Sequence, residues 1–241
     1  MKIKFAVKSS TNFSSLVLKM KKQFAVIVAG GSGTRMGTAT PKQFLLLNGK
    51  PIIVHTIEQF LAANAAVEII VVLPESVMQQ WFQIVSHFPF LQKIKTTIGG
   101  ATRFDSVKNG LALLPNEGLV AVHDAVRPMV SVTLIQNCFH AANENGSGIA
   151  AIACVDTVRQ TENGFEILDR NKLWLMQTPQ CFDLEKLQSA YQNATSNHFT
   201  DDAEVFAASG FQLHLVEGEK NNFKITTKDD LQLADFFTRK T

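Results

Sequence analysis

The sequence is poor in the features that mark several large classes of protein. Its 241 residues carry a formal net charge of +2, too small a field to gather polyanions over the whole surface. No basic stripe with interleaved aromatics runs through it, which argues against nucleic-acid binding. No apolar run approaches the roughly 20 residues of a membrane-spanning helix, so no membrane role is expected. The three cysteines, Cys138, Cys154 and Cys181, have no metal-ligand spacing, and each lies in an apolar or mixed segment. They are expected to be buried and reduced, in a cytoplasmic protein. Internal repeats and low-complexity linkers are also absent. With 46% hydrophobic and 18% charged residues, the chain can bury a sizeable core, and one α/β domain is expected.

The first stretch, "MKIKFAVKSSTNFSSLVLKM", has lysines and serines and no acid. It lacks the continuous apolar region and the small-residue cleavage site of a leader. Residues 1–23 are therefore expected to be a disordered extension or a misplaced start, with the domain running over 24–241. From Phe24 onward, short β-branched runs alternate with segments of helical apolar spacing, the pattern of a parallel sheet covered by helices. "FAVIVAG", "VEIIVVLP", "LVAVHDAVRP" and "GIAAIAC" read as buried strands. Helices are expected with Pro51 in a first turn, over Glu75–Phe88, after Thr102 with Asp105 three residues on, and around Leu134–Ala142. After Cys154 two short extended runs meet at Glu162-Asn163-Gly164, a hairpin signal that predicts an antiparallel arm at about 155–175. Helices over Leu184–Asn193 and Asp201–Ser209, strands "FQLHLVEG" and "NFKIT", and a helix opened by Thr227 with Asp230 in capping-box position complete the chain.

The stretch "FAVIVAGGSGTRMGTATPKQF" carries the chemistry. Gly30, Gly31 and Gly33 follow the first strand, where glycines let backbone N–H groups approach a phosphate. A tight turn alone would explain the glycines, but not Arg35 and Lys42 in a segment without carboxylates. The loop lacks Gly-Lys-Ser/Thr, so it is no P-loop. Its Gly31-x-Gly33-x-x-x-Gly37 spacing matches a variant seen in some NADP enzymes, which keeps an oxidoreductase open. Hydride transfer, however, has no need of a lysine after Pro41. Nucleotidyl transfer does need it, because charge gathers on the α-phosphate oxygens and cations must meet that charge.

Other residues admit two readings each. Asp124 and Arg127 in "HDAVRP" end a strand where ligand crevices form, and could bind Mg²⁺, a hydroxyl or phosphate, or could be a structural ion pair. His123 reads as a packed core histidine, since a phosphate monoester is already ionised at neutral pH. Gly99, Gly100, Arg103 and Ser106 lie in "GGATRFDS", a ligand loop or an ordinary capped helix start. Arg170 could be a solvated surface charge. Lys224 alternates with Phe223 and Ile225, as on any half-exposed strand. The acids of "TDDAEVF" are explained by a helix dipole rather than a metal.

Four separated motifs, "VAGGSGTRMGTATPKQF", "HDAVRP", "DRNKLWLMQTPQ" and "VEGEKNNFKIT", come in the order in which the chain resembles the 2-C-methyl-D-erythritol 4-phosphate cytidylyltransferase family. The first by itself resembles the signature loop of the nucleotidyltransferases. The similarity runs from about Phe24 to the C-terminus, with Val28 standing where many members have proline. The resemblance implies a three-layer, mostly parallel, Rossmann-like sheet with a projecting β-hairpin arm. It also implies CTP and a small alcohol phosphate as substrates, Mg²⁺ as cofactor, and a homodimer formed by arm exchange. Arg35 and Lys42 would stabilise the transition state, while Arg170 and Lys224 would position the nucleophilic phosphate. Ala29, Gly30, Gly31, Ser32 and Gly33 would bind the nucleotide, with Gly99, Gly100, Arg103 and Ser106 at its base and ribose. Asp124, Ala125, Arg127, Thr157 and Thr178 would contact the acceptor, with Arg170 and Thr157 reaching across the dimer interface and Asp124 the candidate metal ligand. Enzymes that use ribitol 5-phosphate share the glycine loop and "HDAVRP". "TATPKQ", without an extra residue before the proline, and the placing of Arg170 and Trp174 favour methylerythritol phosphate. An inactive nucleotide-binding protein of the same fold remains the reading from another class.

Overall fold

The computed structural model describes residues 4–5, 20–30, 40–162 and 164–239. In chain order the elements are β1 (Lys4–Phe5), β2 (Gln23–Val28), the short pair β3 (Leu46–Leu47) and β4 (Lys50–Pro51), α1 (Ile52–Ala63), β5 (Glu68–Leu73), α2 (Met78–His87) and β6 (Lys95–Ile98). There follow α3 (Arg103–Leu111), β7 (Leu119–Asp124), α4 (Val132–Asn145), β8 (Ser147–Ala153), the hairpin β9 (Val158–Gln160) and β10 (Glu166–Leu168), and β11 (Trp174–Asp183). The chain closes with α5 (Leu184–Asn193), α6 (Asp202–Ala208), β12 (His214–Glu217) and α7 (Lys228–Thr238).

One sheet has the order β1-β12-β8-β11-β7-β2-β5-β6. All its pairings are parallel except those of β11, which runs antiparallel to both β7 and β8. The sheet is therefore mostly parallel and covered on both faces. The continuous apolar run of β2 follows from that double cover. Ala25 and Ile27 pack with α1, α2 and α4, while Phe24, Val26 and Val28 pack with α3, α5 and α6. Phe24, Ala25, Val26 and Ile27 keep no exposed surface, and burying a large apolar side chain of this kind contributes about 1.5–3 kcal/mol.

Local signals in the sequence place the helix starts. Thr102 and Thr227 each accept from the backbone N–H three residues on, and Asp105 and Asp230 return the bond, so α3 and α7 open on full capping boxes. Pro51 stands just before α1 rather than in its first turn. The Glu75–Phe88 helix divides into a 3₁₀ turn over Glu75–Val77 and then α2.

Two expectations need correction. "NFKIT" is not a strand: residues 222–226 join no ladder, and Ile225 N–H donates to the Val126 carbonyl at 2.9 Å. "FQLHLVEG" shortens to β12 for lack of a neighbour along its first residues. The hairpin arm is present, with Glu166 opposite Gln160 and Leu168 opposite Val158. Of its turn, Gly164 has φ 109°, where glycine is favoured, and Asn163 lies outside the described residues.

Candidate active site

The chain passes from β2 outward to β5 and β6, then returns to β7 on the other side of β2. Strand order reverses there, and a crevice opens beyond the carboxyl ends of such strands. The described residues form a cleft of about 230 Å³ at this point. It is lined by Val28, Ala29 and Gly30 after β2, Gly100–Arg103 and Ser106 at the start of α3, Asp124 and Val126 after β7, and Lys42, Gln43 and Lys224.

Glycine is required at the α3 side. A Cβ on Gly100 would lie 2.2 Å from the Asp105 Cβ, and one on Gly99 would lie 2.8 Å from Ser106 Oγ. The backbone can therefore fold over Ser106, whose hydroxyl accepts from Gly100 N–H at 3.1 Å and donates to the Thr102 carbonyl at 2.9 Å.

Asp124 is the electrostatic centre. Lys224 Nζ lies 3.1 Å and Arg127 Nε 3.3 Å from its Oδ2, and Arg103 Nε is 3.9 Å from its Oδ1. Burial pushes the Asp124 carboxyl up, but Lys224, Arg103 and Arg127 together hold it far below the usual carboxylate range. Its backbone N–H donates to Thr178 Oγ1 at 3.0 Å, so β11 fixes the end of β7. Arg127 is turned away from the cleft, and its Nη1 donates to the Asn222 carbonyl at 2.7 Å. That bond holds the 218–222 loop, together with Ser131 Oγ donating to Glu219 at 2.5 Å and Gln177 Nε2 donating to the Glu219 carbonyl at 2.8 Å. The loop delivers Lys224.

Of the residues expected from sequence, the cleft brings together Ala29, Gly30, Lys42, Gly100, Arg103, Ser106, Asp124 and Lys224. Gly99, Ala125, Arg127 and Thr178 stand directly behind its wall. Ala125 is fully buried, with its carbonyl accepting from Thr56 Oγ1 at 2.9 Å. Thr157 and Arg170 are exposed on the arm side and do not line the cleft; Arg170 Nη1 donates to the Val155 carbonyl at 2.9 Å. Gly31, Ser32, Gly33 and Arg35 lie outside the described residues.

His123 is fully buried and burial lowers its pKa to about 4. Its Nε2 lies 3.2 Å from the Arg127 carbonyl, which can only accept, so the ring is neutral with its proton on Nε2. It is a packed histidine, edge-on to Phe60 at 5.1 Å. Sequence reasoning missed Gln43, whose Nε2 donates to the Ala29 carbonyl at 2.9 Å, and Asp202, which grips Arg103. Two adjacent aspartates at the start of α6 were the available signal: Asp201 caps the helix, and Asp202 is free to turn inward.

The donor set does not make a protein-held site for a divalent cation. Asp124 is the one carboxylate among the described lining residues, both its oxygens face cations, and no group of three or more metal-ligating side chains occurs among the described residues.

A family model for 2-C-methyl-D-erythritol 4-phosphate cytidylyltransferase matches residues 23–240. The chain belongs to that family. It is 45% identical over 214 residues to the enzyme of that name from Bacteroides thetaiotaomicron, covering 88% of this chain and 98% of the other. The Phocaeicola vulgatus enzyme is 46% identical over 211 residues, 87% and 96% of the two chains. Among solved structures, the 4-diphosphocytidyl-2C-methyl-D-erythritol synthase of Anaerococcus prevotii superposes with a TM-score of 0.78 at 27% identity, covering 91% and 99%. The Francisella tularensis cytidylyltransferase gives 0.75 at 34% identity, covering 89% and 99%. Membership of this cytidylyltransferase family leaves no place for the oxidoreductase reading of the glycine loop. No helix of the described residues is long and apolar enough to cross a membrane.

Proposed function

We propose that the cleft carries out the reaction for which its family is named, transfer of a cytidylyl group from CTP to 2-C-methyl-D-erythritol 4-phosphate. A phosphate oxygen of the acceptor attacks the α-phosphorus of CTP. That P–O bond forms as the bond from the α-phosphorus to the bridging oxygen breaks, and pyrophosphate leaves with the bonding electrons. The supporting observation is the charge of the wall: Lys42, Arg103 and Lys224 line the cleft with Asp124 as the single described carboxylate. Charge that develops on the α-phosphate oxygens is met by Lys42, in this reading together with Arg35, inside a site shielded from water. Gly30 and its neighbours bring backbone N–H groups to the triphosphate, and the Gly99–Ser106 turn meets the base and ribose. The proposal gives Mg²⁺ to the triphosphate oxygens of CTP rather than to a protein site.

Lys224 is the most exposed of the three cations on Asp124, at 40% against 28% for Arg103 and 12% for Arg127. The two arginines each have a second acceptor, Asp202 and the Asn222 carbonyl. Lys224 is therefore the cation that an incoming phosphate can draw off, while Asp124 keeps the other two and accepts from an acceptor hydroxyl. The arm supplies Arg170 and Thr157 to a second copy of the chain. Support for that exchange comes from Val155, Phe165 and Ile167, which leave 64%, 76% and 60% of their surface in water on or beside the hairpin. The free, buried thiols of Cys138, Cys154 and Cys181 support a cytoplasmic setting.

The test is pyrophosphate release from the purified full chain with CTP, Mg²⁺ and the acceptor phosphate. Release that requires both substrates is expected. A folded chain that binds CTP and releases nothing would be a binding protein instead.

A further inference from the structure

Arg103 does not hold its place at the cleft wall alone. Its Nη2 donates to Asp202 Oδ2 at 2.6 Å, and Asp202 Oδ1 accepts from the Tyr191 hydroxyl at 2.6 Å. Asp202 is fully buried and Tyr191 is 2% exposed. The Tyr191 ring stacks on Phe104, the residue after Arg103, with centroids 4.6 Å apart. A hydroxyl from α5 thus fixes a carboxylate from α6, and that carboxylate fixes a guanidinium on the first turn of α3. Burial, and then the Asp202 carboxylate, hold the Tyr191 phenol well above its usual pKa, so the hydroxyl stays a donor at any working pH.

A buried ion pair is a poor way to gain stability, since apolar replacements of similar volume are often neutral or better. Its position beside the cleft calls for another reason. Arginine has five N–H donors in one plane. One is used on Asp202, and Nε faces Asp124 at 3.9 Å, beyond hydrogen-bond length. The remaining three have no hydrogen-bond partner among the described residues, and the side chain keeps 28% of its surface exposed where it lines the cleft.

We infer that Asp202 and Tyr191 are positioning residues for nucleotide binding: they lock the plane of Arg103 so that its remaining donors meet acceptor atoms of CTP. The inference rests on the proposed cytidylyl transfer. It separates these residues from the acceptor side of the site, where Lys224 and Asp124 act.

The experiment is isothermal titration of the full chain with CTP and Mg²⁺ in the absence of acceptor, followed by steady-state kinetics with each substrate varied. D202N should weaken CTP binding about 10- to 30-fold, the scale of a charge-assisted hydrogen bond, and Y191F about 3- to 5-fold, less because its hydroxyl acts on Arg103 only through Asp202. KM for the acceptor should stay within about twofold, and D202N should add nothing further in an R103A background, as expected for groups acting through one another. Equal CTP affinity in D202N and wild type would overturn the inference, as would a further loss on R103A or an acceptor KM that rises in step. Should D202N fail to fold by circular dichroism, Y191F decides, because it keeps the ion pair and removes one hydroxyl. A wild type that ignores CTP would sink the reaction and this inference together, whereas a wild type and a D202N that bind CTP equally well would sink the inference alone.

Discussion

The cleft ties Asp124 and its three cations to one another within one chain, whereas the hairpin β9–β10 leaves Phe165 and Ile167 in water. Around Asp124 every cation has a named acceptor, and the loops that carry them are tied to β11, α4 and α6. The arm has two three-residue strands paired to each other and, among the described residues, to no other strand. Two-stranded hairpins of that length have no core of their own. Phe165 and Ile167 are left exposed among the described residues, the surface that the proposed arm exchange would cover, while the cleft is open to a small ligand. A site finished by one chain and a limb that is not finished by it are best separated by variants that strike one and spare the other.

The largest effect should come from the cleft. Lys42→Ala is expected to lower kcat by about 10²- to 10³-fold with a small change in KM, because the charge it meets develops in the transition state. A loss confined to KM would make Lys42 a ground-state ligand. The arm comes next. On the proposed arm exchange, Phe165→Asp combined with Ile167→Asp should leave the chain monomeric by sedimentation where wild type is dimeric, and lower turnover by at least about tenfold, the scale of one charge-assisted contact to the acceptor, while CTP binding survives. Loss of CTP affinity in that variant would show that cleft and arm are not separable. Arg170→Ala should raise the acceptor KM by about tenfold, the scale of one charge-assisted contact, at unchanged CTP affinity. Preference for methylerythritol phosphate over ribitol 5-phosphate in kcat/KM should reach at least roughly tenfold, since one methyl contact supplies about 1–3 kcal/mol.

The smallest effect concerns His123 and acid. Folding holds its pKa near 4, below the ordinary value of about 6.5, so the native state takes up its proton later than the unfolded chain. Stability present above about pH 6.5 is lost as pH falls toward 4, by up to about 3 kcal/mol. Thermal unfolding of His123→Gln should be flatter across that window than wild type. The cation-held Asp124 contributes in the same direction at lower pH, so the two slopes do not overlap.

Much of the cleft was legible because its signals are local. Buried runs announce β2 and β5, a threonine with an aspartate three residues on announces α3, and "HDAVRP" sits at a strand end where a crevice must open. β11 was not legible. "WLMQTPQCFD" mixes apolar, polar and proline residues and shows neither a strand's alternation nor a buried run. Gln177, Thr178 and Gln180 are buried there because distant groups satisfy them: Glu219, the Asp124 N–H, and Asp201 with the Ala203 N–H. No window of sequence contains those partners. Lys224 failed in the opposite way. Its alternation with Phe223 and Ile225 is real, but it reflects an ion pair with Asp124 and not a strand in a ladder.

The antiparallel strand at the middle of the sheet also sets an order of events for the newly made chain. β7 and β8 do not pair with each other; both pair with β11, which is synthesised after them and after the arm. Until Asp183 has emerged, β2, β5, β6 and β7 can pair with one another, while β8 has no strand joining it to β7 and meets that portion through α4. The two halves of the sheet are joined through a strand that comes later in the chain than either neighbour it bridges, so that junction cannot form before it. Pulse-labelled hydrogen exchange during refolding should find β8 and β11 amides gaining protection together. The strand that carries Thr178 to Asp124 is thus also the one whose arrival closes the molecule.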